Sequence, residues 1–175
     1  MSEEDVSFLI DSAQHRDVRK GEAVLKEGVT CRAFYLVETG CLRTWYNKEG
    51  TAINLNFALE GEFATNITSI KKHEPSNLTI DAIEDSSVWI FDLDVMARVH
   101  DSHPTLILFV RRLSTHLLVA SEEHNNLFKL YTPTERYRYI EEHNPRLLQR
   151  ISLSQLASYL GVTRETLSRI RGKKD

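Results

Sequence analysis

Three rhythms of apolar and polar positions divide this chain. Residues 33–38, 41–46 and 51–58 are short runs rich in aromatic and β-branched side chains, and residues 78–83 and 87–92 continue the pattern beyond a polar excursion at 71–77. Glycines at 21, 28, 40, 50 and 61 punctuate the first third at intervals of seven to twelve residues, and Asn47-Lys48-Glu49-Gly50 reads as a hairpin turn. Such spacing predicts antiparallel strands joined by turns, here a β-roll or jelly roll of about eight strands.

A helical rhythm replaces it after Pro104, whose fixed φ suits a first turn. Val110, Leu113, Leu117, Ala120, His124, Leu127 and Tyr131 step alternately by three and four, the seam of a heptad repeat interrupted only by a histidine. Leu106, Phe109 and Leu118 form a second apolar set. In one arrangement this second set faces the roll and the seam meets its equivalent on another subunit, making a two-fold homodimer. In the other, the seam is core of its own subunit.

Thr132 and Pro133 break the long helix, Thr134-Glu135-Arg136-Tyr137 opens another, and Asn144-Pro145 ends that one. The third rhythm follows in residues 151–175. Ser152 is a natural N-cap with Gln155 three residues on, and Leu153, Leu156, Ala157 and Leu160 supply an apolar face. Gly161 falls where the chain must reverse, Val162 plugs the corner, and Thr163 caps a second helix that turns Leu167 and Ile170 inward. The pattern predicts a helix-turn-helix.

The outward face of that second helix carries Arg164, Glu165 and Arg169 within two turns. Arginine donates two parallel bonds to guanine O6 and N7, glutamate accepts from cytosine N4, and the N-terminal end of such a helix enters the major groove. Ser152, Thr163, Thr166, Ser168, Arg171, Lys173 and Lys174 complete the candidate DNA contacts. Charge agrees with them. Residues 146–175 hold seven Lys or Arg against two acids, whereas the remaining chain holds fifteen against twenty-three, so the net charge of −3 conceals a basic end on an acidic body. A basic end holds a phosphate backbone in a salt-dependent way.

The run Gly161 to Ile170, GVTRETLSRI, resembles the helix-turn-helix of the CRP/FNR family of bacterial transcription regulators, and the resemblance extends less sharply over nearly the whole chain. It implies an α+β protein with three parts: a cyclic-nucleotide-binding-like sensor over 1–103, a dimerisation helix over 104–131 and a DNA-binding domain over 132–175. It also implies a homodimer on palindromic double-stranded DNA, gating by a small-molecule effector, and contact with RNA polymerase. The dimer interface would comprise Val110, Leu113, Leu117, Ala120, His124 and Leu127. Only residues 146–150 separate the preceding helix from Ile151, and five residues follow Ile170, so the hairpin and wing of many relatives are expected to be trimmed.

In the sensor, Gly61-Glu62-Phe63 resembles the start of the family's phosphate-binding cassette. Members that bind cyclic AMP carry an Arg-Ser pair before the next strand; alignment through Ala82 and Val88 puts Ser76 and Asn77 there. A buried phosphate without a cation is costly, and an uncharged hydrogen bond returns only part of that cost. Lys71 and Lys72 are either substitutes or a solvated face, and Glu62 either holds a ribose hydroxyl or closes a turn. Cyclic AMP is therefore not the expected effector. A pocket walled by Glu62, Phe63 and Asn77, closed by Leu117 or Ser121, suits a neutral or weakly polar ligand.

Other chemistries find no support. Cys31 and Cys41 match neither metal-ligand nor redox spacing, and no cysteine precedes them for an iron-sulfur cluster. No histidine lies between Gly21 and Lys72 to build a cupin metal site; His100, His103, His116 and His124 lack a carboxylate at ligand spacing. Without a nucleophile elbow or P-loop, no enzyme, cofactor or metal is expected. No apolar run approaches the roughly 18 residues of a membrane span, and the acidic start lacks a signal's basic region. A cytoplasmic regulator is the expectation; the alternatives are a module whose helix-turn-helix no longer reads DNA, and a regulator that does bind a cyclic nucleotide.

Overall fold

The computed structural model describes residues 3–98 and 104–172; Lys173, Lys174, His100 and His103 lie outside the described residues. After helix α1 (Glu3–Ser12) come the strands β1 (Gln14–Val18), β2 (Ala23–Leu25), β3 (Ala33–Thr39), β4 (Leu42–Lys48), β5 (Thr51–Ala58) and β6 (Phe63–Ala64). A short helix α2 (Ile67–Lys72) precedes β7 (Leu78–Ala82) and β8 (Ser86–Asp92). The strands form two four-stranded antiparallel sheets, ordered β1-β8-β3-β6 and β2-β7-β4-β5. Alternating side chains fill the space between them, with Val37, Leu42, Ile80 and Val88 almost fully enclosed.

The predicted hairpin joins β4 to β5, closed by a bond from the Gly50 N–H to Asn47 Oδ1 of 2.9 Å. The polar stretch before β7 is partly helical rather than a loop. Asn66 caps α2 by accepting from the Ser69 N–H at 3.1 Å, and His73 ends it in the left-handed conformation at φ 56°. The short β1 and β2 pair with β8 and β7.

Helix α3 (Leu93–Arg98) leads to α4 (Pro104–Leu130), which lies along the roll. Leu106 and Leu113 are buried with Phe34, Phe91 and Met96, and Phe109, Val110 and Leu117 pack against the same cluster. Most of the heptad seam, the exposed Ala120 and Tyr131 excepted, is therefore covered within the subunit, and Leu106 and Phe109 of the second apolar set face the roll beside it. Leu113 and Leu127 are 7% and 8% exposed within one subunit, and Leu118, expected to face the roll, is 55% exposed. A three-four spacing records that one helix face is covered, and it is the same whether the cover is the roll or a partner. The exposed apolar residues of α4 include Ile107, Leu108, Leu118 and Val119.

The chain continues through α5 (Pro133–His143), α6 (Pro145–Arg150), α7 (Leu153–Tyr159) and α8 (Arg164–Gly172). Thr132 caps α5 reciprocally with Glu135, as Ser152 caps α7 with Gln155. Residues 146–150, which separate the two, are themselves helical. The four helices do not stand apart from the roll: Leu147, Leu156, Leu160 and the fully enclosed Leu167 share one core with Cys41, Phe57 and Leu59.

Candidate nucleic-acid interface and effector cavity

Helices α7 and α8 enclose the turn at Gly161. Its φ of 66° suits glycine, and a Cβ there would meet the Phe128 ring at 2.9 Å. The Thr163 Oγ1 accepts from the Thr166 N–H at 3.2 Å, capping α8, and lies 3.1 Å from the Thr166 hydroxyl. Leu167 anchors the helix to the core, while Arg164, Glu165, Ser168, Arg169 and Arg171 are exposed. The Glu165 carboxyl sits below its ordinary value, held by its own backbone N–H, then the Thr163 hydroxyl, and more weakly by Arg164 and Arg169. It is thus an ionised acceptor between two arginines, on the face opposite the buried leucine. Ser152 is exposed, but its hydroxyl is engaged in the α7 cap.

Two bases counted in the sequence's positive surplus are occupied inside the subunit. Arg150 Nη1 donates to both oxygens of Glu60 at 2.8 Å, and its Nη2 reaches Glu84; Arg146 also bonds Glu60. Nearby, Asn54 on β5 donates its backbone N–H to Ser158 Oγ at 2.9 Å and its side-chain amide to the Gln155 carbonyl at 3.0 Å. Ser158 in turn donates to the Ala52 carbonyl. These bonds dock α7 on the edge of the roll, and no local motif in the sequence marked Glu60, Glu84 or Asn54 for it.

A cavity of about 300 Å³ lies between the roll and α4. Its walls come from Thr44, Leu55, Asn56, Phe63 and Ala64 of the strands, from the start of α2 with Thr65 and Thr68, and from Leu117, Leu118, Ala120, Ser121 and His124 of α4. Three predicted pocket residues, Phe63, Leu117 and Ser121, therefore meet there. Five do not. Glu62 is exposed and its Oε2 closes a turn by accepting from the Leu59 N–H at 2.9 Å. Lys71, Lys72 and Asn77 are exposed and do not line the cavity, and the buried Ser76 hydroxyl is fully engaged with Asn66 and Leu78 in fastening its loop. Thr44, Asn56 and Thr68, unremarked in the sequence, supply polar groups instead. Among the described residues, no lysine, arginine, aspartate or glutamate lines this cavity.

His124 occupies the end of the cavity nearest the helix-turn-helix. Its ring stacks on Tyr159 of α7 with centroids 4.9 Å apart and planes at 22°, and meets Phe128 edge-on at 5.1 Å. Tyr159 contacts Phe57 of β5 edge-on at 5.4 Å, and burial pushes its hydroxyl up to about 12. Burial also lowers the His124 pKa. The Arg136 guanidinium lies 4.7 Å over Phe128 and donates to the Leu160 carbonyl at 2.6 Å. Among the described residues no group of three or more His, Cys, Asp or Glu is placed to hold a metal, and no helix is long and apolar enough to cross a membrane.

The chain is a β-roll joined by a long helix to a helix-turn-helix. Residues 15–103 match the family model of the cyclic nucleotide-binding domain, and the chain belongs to that family. Its whole fold is that of the CRP/FNR transcription regulators. FixK2 from Bradyrhizobium japonicum superposes with a TM-score of 0.77 at 22% identity, over 92% of this chain and 83% of its own. A protein from Eubacterium rectale assigned to the crp/fnr family gives 0.73 at 18%, over 97% and 82%. The catabolite activator protein of Thermus thermophilus gives 0.60 at 21%, over 98% and 83%. No curated protein matches the sequence.

Proposed function

We propose that this protein is a sequence-specific DNA-binding transcription regulator that acts as a homodimer on a palindromic operator. The observation that carries the reading is the exposure of Arg164, Glu165 and Arg169 on a helix that Leu167 anchors to the core. Base reading needs side chains held in register with the groove, and this anchor provides that. The exposed residues Ile107, Leu108, Leu118 and Val119 of α4 are the surface that a second copy would cover, and a two-fold pair places two recognition helices on successive major grooves. RNA polymerase is a further partner by analogy with the fold alone.

The effector is a small molecule held between the roll and α4. Although the family is named for cyclic nucleotides, no lysine or arginine among the described residues lines this cavity to meet a phosphate, and its threonines, asparagines, serine and histidine suit an uncharged hydrogen-bonding ligand. Selection of bound duplexes from a random library tests the reading. Enrichment of an inverted repeat with half-sites about one helical turn apart is expected; recovery of unenriched sequence would overturn it.

A further inference from the structure

Cavity and helix-turn-helix share one side chain. His124 lines the cavity on one side and stacks on Tyr159 on the other, and one turn further along α4 Phe128 packs against Gly161 and beneath Arg136. Thus consecutive turns of α4 hold both the end of α7 and the turn into α8. Tyr159 has a second anchor in Phe57 of β5. The hydrogen bonds of Asn54 and Ser158, which also dock α7 on the roll, involve no residue that lines the cavity.

We infer that His124 is the positioning residue through which occupancy of the cavity is passed to the helix-turn-helix. The inference rests on the effector reading above. A ligand that hydrogen-bonds the imidazole or displaces it re-aims the ring, and the ring cannot turn while keeping its near-parallel stack on Tyr159. Among the described residues no hydrogen bond ties either ring nitrogen, so nothing but packing holds the present orientation. The ligand class follows from the same wall. Asn66 is spent on the α2 cap and on Ser76, and Thr65 on the Ala33 carbonyl, which leaves Thr44, Asn56, Thr68, Ser121 and His124 as groups that both donate and accept. Such a set recognises an uncharged molecule with its own donors and acceptors, and the histidine, whose charged form burial disfavours, belongs to it as a neutral ring.

Amide hydrogen exchange on the full chain, without DNA or ligand, tests the coupling. His124→Ala should speed exchange across α7 and α8 about 3- to 10-fold, the range of one aromatic pair, while β3 and β8 keep their protection. His124→Phe, which keeps a ring, should restore protection. Ser121→Phe, one turn before His124 on the cavity wall, serves as a tethered occupant. It should alter α7 and α8 exchange at least threefold in the wild-type background and leave it unchanged beside His124→Ala. Tyr159→Leu removes the stack from the other side and should silence Ser121→Phe equally, so a poorly folded alanine variant does not spare the proposal. Unchanged α7 and α8 exchange in His124→Ala, or an equal response to Ser121→Phe with and without the stack, would overturn it. Because no DNA is present, failure here leaves the regulator reading standing, and failure of DNA selection leaves this coupling standing.

Discussion

Arg150, at the end of α6, grips Glu60 of the β5–β6 turn through two bonds of 2.8 Å, tying the helix-turn-helix unit to the roll. Burial alone would raise the Glu60 pKa, but a bond from its own backbone N–H and the Arg150 guanidinium outweigh it, and the carboxyl stays below its ordinary 4.5. A depressed folded-state value contributes stability above the unfolded value, which is lost as pH falls through the folded one. With Arg150 side-chain exposure at 21% and that of Glu60 at 29%, Arg150→Met should destabilise by about 1–3 kcal/mol at neutral pH. Urea denaturation should show that penalty shrinking as pH drops below the glutamate range; a pH-independent penalty would mean that packing, not charge, carries the contact.

Gly161→Ala places a Cβ 2.9 Å from Phe128 in a left-handed residue. A loss of about 1–3 kcal/mol is expected from strain and displaced packing, together with weaker DNA binding because the same turn aims α8. Thermal unfolding and a gel shift on one preparation check both.

Leu118→Glu with Val119→Glu should yield folded monomers, since both side chains are exposed on α4 and like charges would meet across a two-fold axis. Leu113→Glu should instead disrupt the fold, because that side chain is buried within its own subunit. Sedimentation and circular dichroism separate the outcomes; a dimer surviving the double change would place the interface elsewhere.

Cyclic AMP should show no saturable heat at micromolar concentration in titration calorimetry. Ser76 is consumed by its own loop, Asn77 and the two lysines of α2 are exposed, and among the described residues no lysine or arginine lines the cavity. Micromolar binding at one site per subunit would require Lys71 or Lys72 to swing into the cavity.

What the sequence made legible was local. The capping pairs Ser152 with Gln155, the glycine of the turn, the inward Leu167 and the hairpin at residues 47–50 are each determined by neighbours within four positions, and each stands where the pattern put it. The face that α4 presents to the roll was not, because periodicity names a covered stripe without naming its cover. Likewise Arg150 and Arg146 count toward the basic end in the sequence, while their partners Glu60 and Glu84 lie more than sixty positions away. Phe63, Leu117 and Ser121 of the cavity were accessible through the family resemblance. Thr44, Asn56 and Thr68 were not, since an uncharged wall leaves no charge or spacing signature.

Base reading by α8 is tested most directly by fluorescence anisotropy of Arg164→Ala and the wild type on a selected operator and on a scrambled duplex, across a salt series. The wild type should prefer the operator, with an affinity that falls steeply with salt. Arg164→Ala should lose about 1–3 kcal/mol on the operator, relax discrimination at one guanine and change little on the scrambled duplex, whereas Lys173→Ala should weaken both alike. Equal losses on both duplexes for Arg164→Ala, or no preference in the wild type, would contradict base reading.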